Sequence, residues 1–151
     1  MPILKDQVAI VTGAGTGIGA AAAVRFVQEG ASVILVGRRE HKLKETADRT
    51  GNPDRVVLIP GDVRDQQVAE SAVRTAERRF GRLDIVVSNA AFFSPVDFPD
   101  GDYDRWREML DVILVGSFRF SREGARLMIA RGISGRIVNV TSIHGTQAEP
   151  K

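Results

Sequence analysis

Short β-branched runs alternate along this chain with longer stretches of helical period. Val8-Ala9-Ile10-Val11 reads as an apolar strand that ends at Thr12-Gly13. Ala20, Ala23, Val24 and Val27 then recur at i, i+3, i+4 and i+7, with Arg25, Gln28 and Glu29 on another face, which predicts an amphipathic helix. Gly30 stops that helix, at the point where a left-handed residue is favoured. The second strand is Ser32-Val33-Ile34-Leu35-Val36, and a polar helix over residues 40–49 meets a break at Thr50-Gly51-Asn52-Pro53. The third strand, Val56-Val57-Leu58-Ile59, closes at Pro60-Gly61. A further helix follows, with Ala69, Ala72, Val73, Ala76 and Phe80 on one stripe and Glu70, Arg74, Glu77 and Arg78 opposite. Leu83-Asp84-Ile85-Val86-Val87 is the fourth strand and Arg136-Ile137-Val138-Asn139-Val140 the fifth.

Between the last two strands lie a long loop over residues 88–101, holding Phe92, Phe93, Pro95, Phe98 and Pro99, and a helical segment over residues 103–131, bent near Gly116. Long loops at strand ends are often functional. Within the helix, Ile113 shares a stripe with Trp106, Met109 and Leu110 and is expected in the core. Strict strand–helix alternation predicts an α/β fold: a doubly wound parallel sheet of five strands in three layers, forming a single domain.

Composition narrows the function. The 151 residues suffice to bury roughly two-thirds of the unfolded surface. Lys and Arg number 21 against 19 Asp and Glu, and no basic run is longer than pairs such as Arg38-Arg39 and Arg78-Arg79, so no nucleic-acid partner is expected. With no cysteine there are no disulfides, thiolate zinc sites or cysteine nucleophiles, which fits a reducing cytoplasm; no metal is expected. The amino-terminal residues lack the basic and apolar regions of a signal peptide, and no apolar stretch approaches the ~20 residues that span a bilayer, so the expectation is a soluble cytoplasmic protein.

The strongest chemical signal is Thr12-Gly13-Ala14-Gly15-Thr16-Gly17-Ile18-Gly19, between the first strand and its helix. A diphosphate needs bare amides at a helix N-terminus with no Cβ in the way. Gly13 permits the tight turn, Gly17 the close approach and Gly19 the packing of helix on strand; Gly15-x-Gly17-x-x-Ala20 also fits the dinucleotide fingerprint. No Gly-Lys-Ser or Gly-Lys-Thr follows, which disfavours an ATPase-type loop. At the end of the second strand, where an acidic residue would hold the ribose hydroxyl of NAD, the chain reads Gly37-Arg38-Arg39. Guanidinium groups pair with phosphate, so NADP(H) is favoured and NAD(H) is the alternative. Solvated charges opening a helix are the plainer reading of Arg38 and Arg39, but cations at a helix N-terminus are unfavourable unless an anion joins them.

Four segments together resemble the short-chain dehydrogenase/reductase family in order and spacing: Thr12-Gly13-x-x-x-Gly17-Ile18-Gly19, Gly61-Asp62-Val63, Ser88-Asn89-Ala90-Ala91, and the run from Gly135 to Gly145 through Ser142. The resemblance covers most of the chain and implies a Rossmann fold and hydride transfer between a nicotinamide dinucleotide and a small carbonyl or alcohol substrate. It implies that Gly13, Thr16, Gly17, Ile18 and Gly19 hold the dinucleotide with Arg38 and Arg39. Asp62 and Val63 would meet the adenine, although Asp62 also suits a cap for the following helix. Asn89 and Ala90 would line the cleft, and Ser142 would hydrogen-bond the substrate oxygen. For a full-length member it implies a homo-oligomer.

Two departures qualify that picture. A Tyr-x-x-x-Lys motif is implied downstream of Ser142, past Lys151, so the chain is expected to be truncated relative to the family and catalytically inactive by itself. A phenol with a pKa of ~10 is a poor acid at neutral pH unless a nearby cation shifts it. Ile113 stands where the family usually has an asparagine that supports a water relay, and isoleucine cannot hydrogen-bond one. The alternative to an enzyme is therefore a non-catalytic nucleotide-binding short form, or a truncated product, that binds a full-length partner. His41 and His144 are expected in solvated or packing roles.

Overall fold

The computed structural model describes residues 2–93 and 100–147. Five strands, β1 (Val8–Thr12), β2 (Ser32–Gly37), β3 (Val56–Pro60), β4 (Ile85–Ser88) and β5 (Arg136–Asn139), form one sheet in the order β3-β2-β1-β4-β5. Every pairing is parallel, with Ile10 opposite Ile34 on one side and Val86 on the other. Helices α1 (Gly17–Gln28), α2 (Glu40–Thr50), α3 (Gln66–Phe80), α4 (Tyr103–Leu110) and α5 (Ser117–Ala130) connect them, with a π-helical stretch, Asp111–Gly116, joining α4 to α5. The expected doubly wound α/β sheet is present.

Alternation along the central strands builds two cores. Val8 and Ile10 of β1 face α3 and α5, packing with Ala69, Ala72, Phe120 and Leu127. Ala9 and Val11 face the other way, toward Ala23 and Val27 of α1 and Leu43 of α2. Each buried large aliphatic contributes about 1.5–3 kcal/mol of hydrophobic stabilisation. Gly30, Gly51 and Gly81 end the first three helices with positive φ, so the stop after α1 stands as expected.

Three expectations need correction. β4 starts at Ile85 rather than Leu83, because the buried Asp84 carboxylate accepts a hydrogen bond from the Val8 amide (2.8 Å) and turns the chain into the strand. The helix after β3 is capped by Asp65, whose side chain accepts from the Gln67 amide, and not by Asp62. Ile113 is not a core residue: it is 45% exposed, beside Trp106 and Leu110, which are also exposed. The face laid against the sheet is instead Val112, Gly116, Phe120, Gly124 and Leu127, a stripe with room for close approach, since a Cβ on Gly116 would lie 2.9 Å from Val63. The irregularity expected near Gly116 is present as the π-helical stretch that ends there. Of the aromatic loop, residues 94–99, including Pro95, Phe98 and Pro99, lie outside the described residues.

Candidate functional site

The chain winds from β1 outward through β2 to β3, then returns to place β4 on the other side of β1. The carboxyl ends of β1 and β4 therefore diverge at a switch point, the place where open α/β sheets form ligand crevices. A cleft of about 250 Å³ opens there, and the residues lining it include Gly13, Gly15, Arg38, Asp62, Asn89 and Phe92.

The glycine turn forms one wall. Gly13 and Gly17 have φ of +65° and +56°, a region that side-chain-bearing residues rarely adopt. Space around Gly17 is open, with nothing within 4 Å of where a Cβ would stand. Gly19 differs: a Cβ there would sit 2.5 Å from the Gly13 carbonyl oxygen and on top of the Asn89 amide nitrogen. Thr16 precedes α1 but makes no side-chain cap, so the positive end of that helix is open to an anion.

The turn is tied to β4 by Thr12 and Asn89. The Thr12 hydroxyl accepts from the amides of Asn89 (2.9 Å) and Ala90 (3.0 Å) and donates to the Val87 carbonyl (3.3 Å). Asn89 returns its side-chain amide to the Thr12 carbonyl at 3.0 Å. These bonds hold the two strand ends, and hence the two sides of the crevice, in one geometry. Thr12 carries no role in the sequence reading; its only signal is its place at the strand end before the first glycine.

A second wall, adjoining the glycine turn, is cationic. Arg38 and Arg39 line the cleft from the end of β2, and both are exposed. Lys42 joins them from the first turn of α2, its ammonium bonded to both Glu45 oxygens at 2.9 and 2.8 Å. That hydrogen bond holds the Glu45 carboxyl below its ordinary range. Lys42 has no cofactor role in the sequence reading; its amide donates to the carbonyl of Arg39, the residue before α2, at 3.0 Å, which keeps the two at the same helix entry.

Asp62 and Val63 line the cleft between these walls. The Arg64 guanidinium forks onto the Asp62 carboxylate (2.8 and 3.1 Å) and also reaches Glu108 at 3.1 Å. The Asp62 carboxyl is held below its usual range, chiefly by that hydrogen bond to Arg64. Ala90 and Phe92 form the apolar floor, with the Arg105 guanidinium 5.8 Å above the Phe92 ring.

Not every candidate converges on the cleft. Ile18 is 67% exposed and Gly19 is buried beneath Asn89; neither they nor Gly17 line the cavity. Ser142 follows β5 at the same end of the sheet, exposed, and its carbonyl accepts from the Gly145 amide, but it lies outside the cleft lining. His41 is exposed on α2. No group of three or more His, Cys, Asp or Glu able to hold a metal occurs among the described residues, and no helix among them is long and apolar enough to cross a membrane.

Comparison with known proteins supplies context for this geometry. The family model described as short chain dehydrogenase matches residues 7–151. An uncharacterized oxidoreductase of Staphylococcus aureus (strain USA300) is 36% identical over 145 residues, which are 96% of this chain and 62% of that protein. An NADP-dependent (R)-specific alcohol dehydrogenase of Lentilactobacillus kefiri is 35% identical over 147 residues, 97% of this chain and 58% of the relative. A crystal structure of a short chain dehydrogenase from Bacillus anthracis superimposes with a TM-score of 0.92 at 30% identity, covering 97% of this chain and 61% of that one. The chain thus spans about three-fifths of the length of the relatives it matches.

Proposed function

Since the chain belongs to the short-chain dehydrogenase family, we propose that it is the nucleotide-binding portion of an NADP(H)-dependent oxidoreductase acting on a small carbonyl or alcohol substrate. The observation that carries the cofactor preference is the cleft itself: a glycine turn on one wall, and Arg38, Arg39 and Lys42 with no acidic residue at the end of β2 on the other. The residues fit such a cofactor, because Gly17 leaves open space beside the uncapped N-terminus of α1. When bound, the nicotinamide supplies or accepts a hydride.

In this reading the amides of the turn from Gly13 to Gly19, Thr16 and Ile18 included, would hold the diphosphate, and Arg38 and Arg39 would hold the 2′-phosphate. Asp62 and the Val63 backbone meet the adenine, while Asn89 and Ala90 shape the cleft toward the nicotinamide. Ser142 hydrogen-bonds the substrate oxygen. Residues 1–151 contain one tyrosine, Tyr103, which is 65% exposed on α4, and no Tyr-x-x-x-Lys motif. A polypeptide of these residues alone therefore binds the dinucleotide without turnover. The relative named as NADP-dependent supports the cofactor choice.

Titration of the chain with NADPH and NADH, followed by nicotinamide fluorescence and thermal shift, tests the reading. NADPH is expected to bind more tightly, and Arg38→Asp to reverse the order. No binding of either dinucleotide removes the oxidoreductase reading; equal binding of both removes the NADP(H) preference.

A further inference from the structure

Lys42 stands out among the cations of the cleft. Its helix turn is seated against the glycine turn, since a Cβ on Gly15 would lie 3.0 Å from Lys42 Cβ. Its side chain is 32% exposed against 70% for Lys44. Among the described residues, Arg38 and Arg39 make no ion pair, whereas the Lys42 ammonium is held by both oxygens of Glu45, a carboxylate that is 57% exposed. The cleft wall thus carries two unpaired guanidinium groups and one ammonium whose counter-ion comes from its own helix.

On the NADP(H) reading above, we infer that Lys42 is a specificity-determining residue: its ammonium leaves Glu45 to become a third ligand of the cofactor's 2′-phosphate. A phosphate monoester carries about −1.5 to −2 charges near neutral pH and three strong acceptor oxygens, enough to engage a third donor beside two guanidinium groups. Lysine suits the exchange because its compact ammonium rides on a flexible stem and can re-aim its three donors without moving the backbone. Glu45 is released into water, and its exposure keeps the exchange inexpensive. Glu45 thereby acts as an internal competitor that moderates affinity for the phosphorylated dinucleotide and leaves the unphosphorylated one untouched.

The test is a set of Kd values for NADPH and NADH, with 2′,5′-ADP and 5′-ADP as fragments, on the wild-type chain and on Lys42→Gln, Lys42→Arg and Glu45→Gln. Lys42→Gln is expected to weaken NADPH and 2′,5′-ADP roughly tenfold, the scale of one lost charge-assisted bond, without changing NADH or 5′-ADP. Lys42→Arg retains most of the preference, and Glu45→Gln strengthens NADPH about threefold by removing the competitor. If Lys42→Gln weakens all four ligands alike, or none, Lys42 is not a specificity residue and the inference falls while the cofactor reading stands. A wild-type chain that binds NADPH and NADH equally overturns the cofactor reading and this inference with it.

Discussion

β1 and β5 are strands of one parallel sheet, yet all 5 residues of β1 are buried and all 4 of β5 are exposed. The contrast extends to whatever surrounds each strand. Around β1 the chain completes itself: both faces are covered, the glycine turn is bonded to β4, and the charges sit at the cleft rim. In β5, Ile137 and Val138 remain in solvent, and the helical connection that leads to it leaves Ile113, Leu114 and Phe118 exposed as well. The difference teaches that the candidate cleft is braced by bonds between its strand ends, whereas the β5 side leaves apolar groups exposed among the described residues.

Three substitutions can break or sharpen this contrast. The largest effect is expected at Gly19, where valine would drive a Cβ into the Gly13 carbonyl, a backbone group that cannot swing aside. Gly19→Val should cost about 3 kcal/mol or more, the upper range for overpacking, and abolish dinucleotide binding, as thermal melts and titration would show. Thr12→Val comes next. It strands the Asn89 and Ala90 amides that share the hydroxyl, at a cost of about 2 kcal/mol by chemical denaturation. The smallest change belongs to the other side: Leu114→Gln, at a position 63% exposed, should shift stability by no more than about 0.5 kcal/mol and improve solubility in a precipitation assay. A loss at Leu114 comparable to that at Thr12 would show that the β5 side is as tightly organised as the cleft, and the contrast would not hold.

Much of the architecture was legible in the order of residues because period and punctuation are local properties. Runs such as Ser32–Gly37 are too short and too apolar to be anything but buried strands once glycines bound them, and the helix over residues 66–80 announces itself through its alanine stripe. The glycine turn was legible for a related reason: Gly13 and Gly17 adopt positive φ, and a Cβ on Gly19 would meet the Gly13 carbonyl, conditions that few other residues satisfy. Ile113 misled because an apolar stripe states which residues prefer burial without stating which of two stripes wins. The segment from α4 through the π-helical stretch to α5 carries both the stripe of Trp106, Leu110 and Ile113 and that of Val112, Gly116, Phe120 and Gly124, and the sheet took the second, whose glycines allow close approach.

The chain's own order of residues was enough to specify a parallel α/β sheet, a phosphate-suited turn after the first strand and a cationic end to the second. The strands, helices and turns that compose them are each set by residues close together along the chain, so propensity and φ preference decide them. Folding alone settled that Thr12 clamps Asn89, that Lys42 reaches the cleft from α2, and that Arg64 reaches Glu108. Each of these depends on segments distant along the chain meeting at fixed distances, and a hydrogen bond or ion pair exists only once both partners have been brought into range.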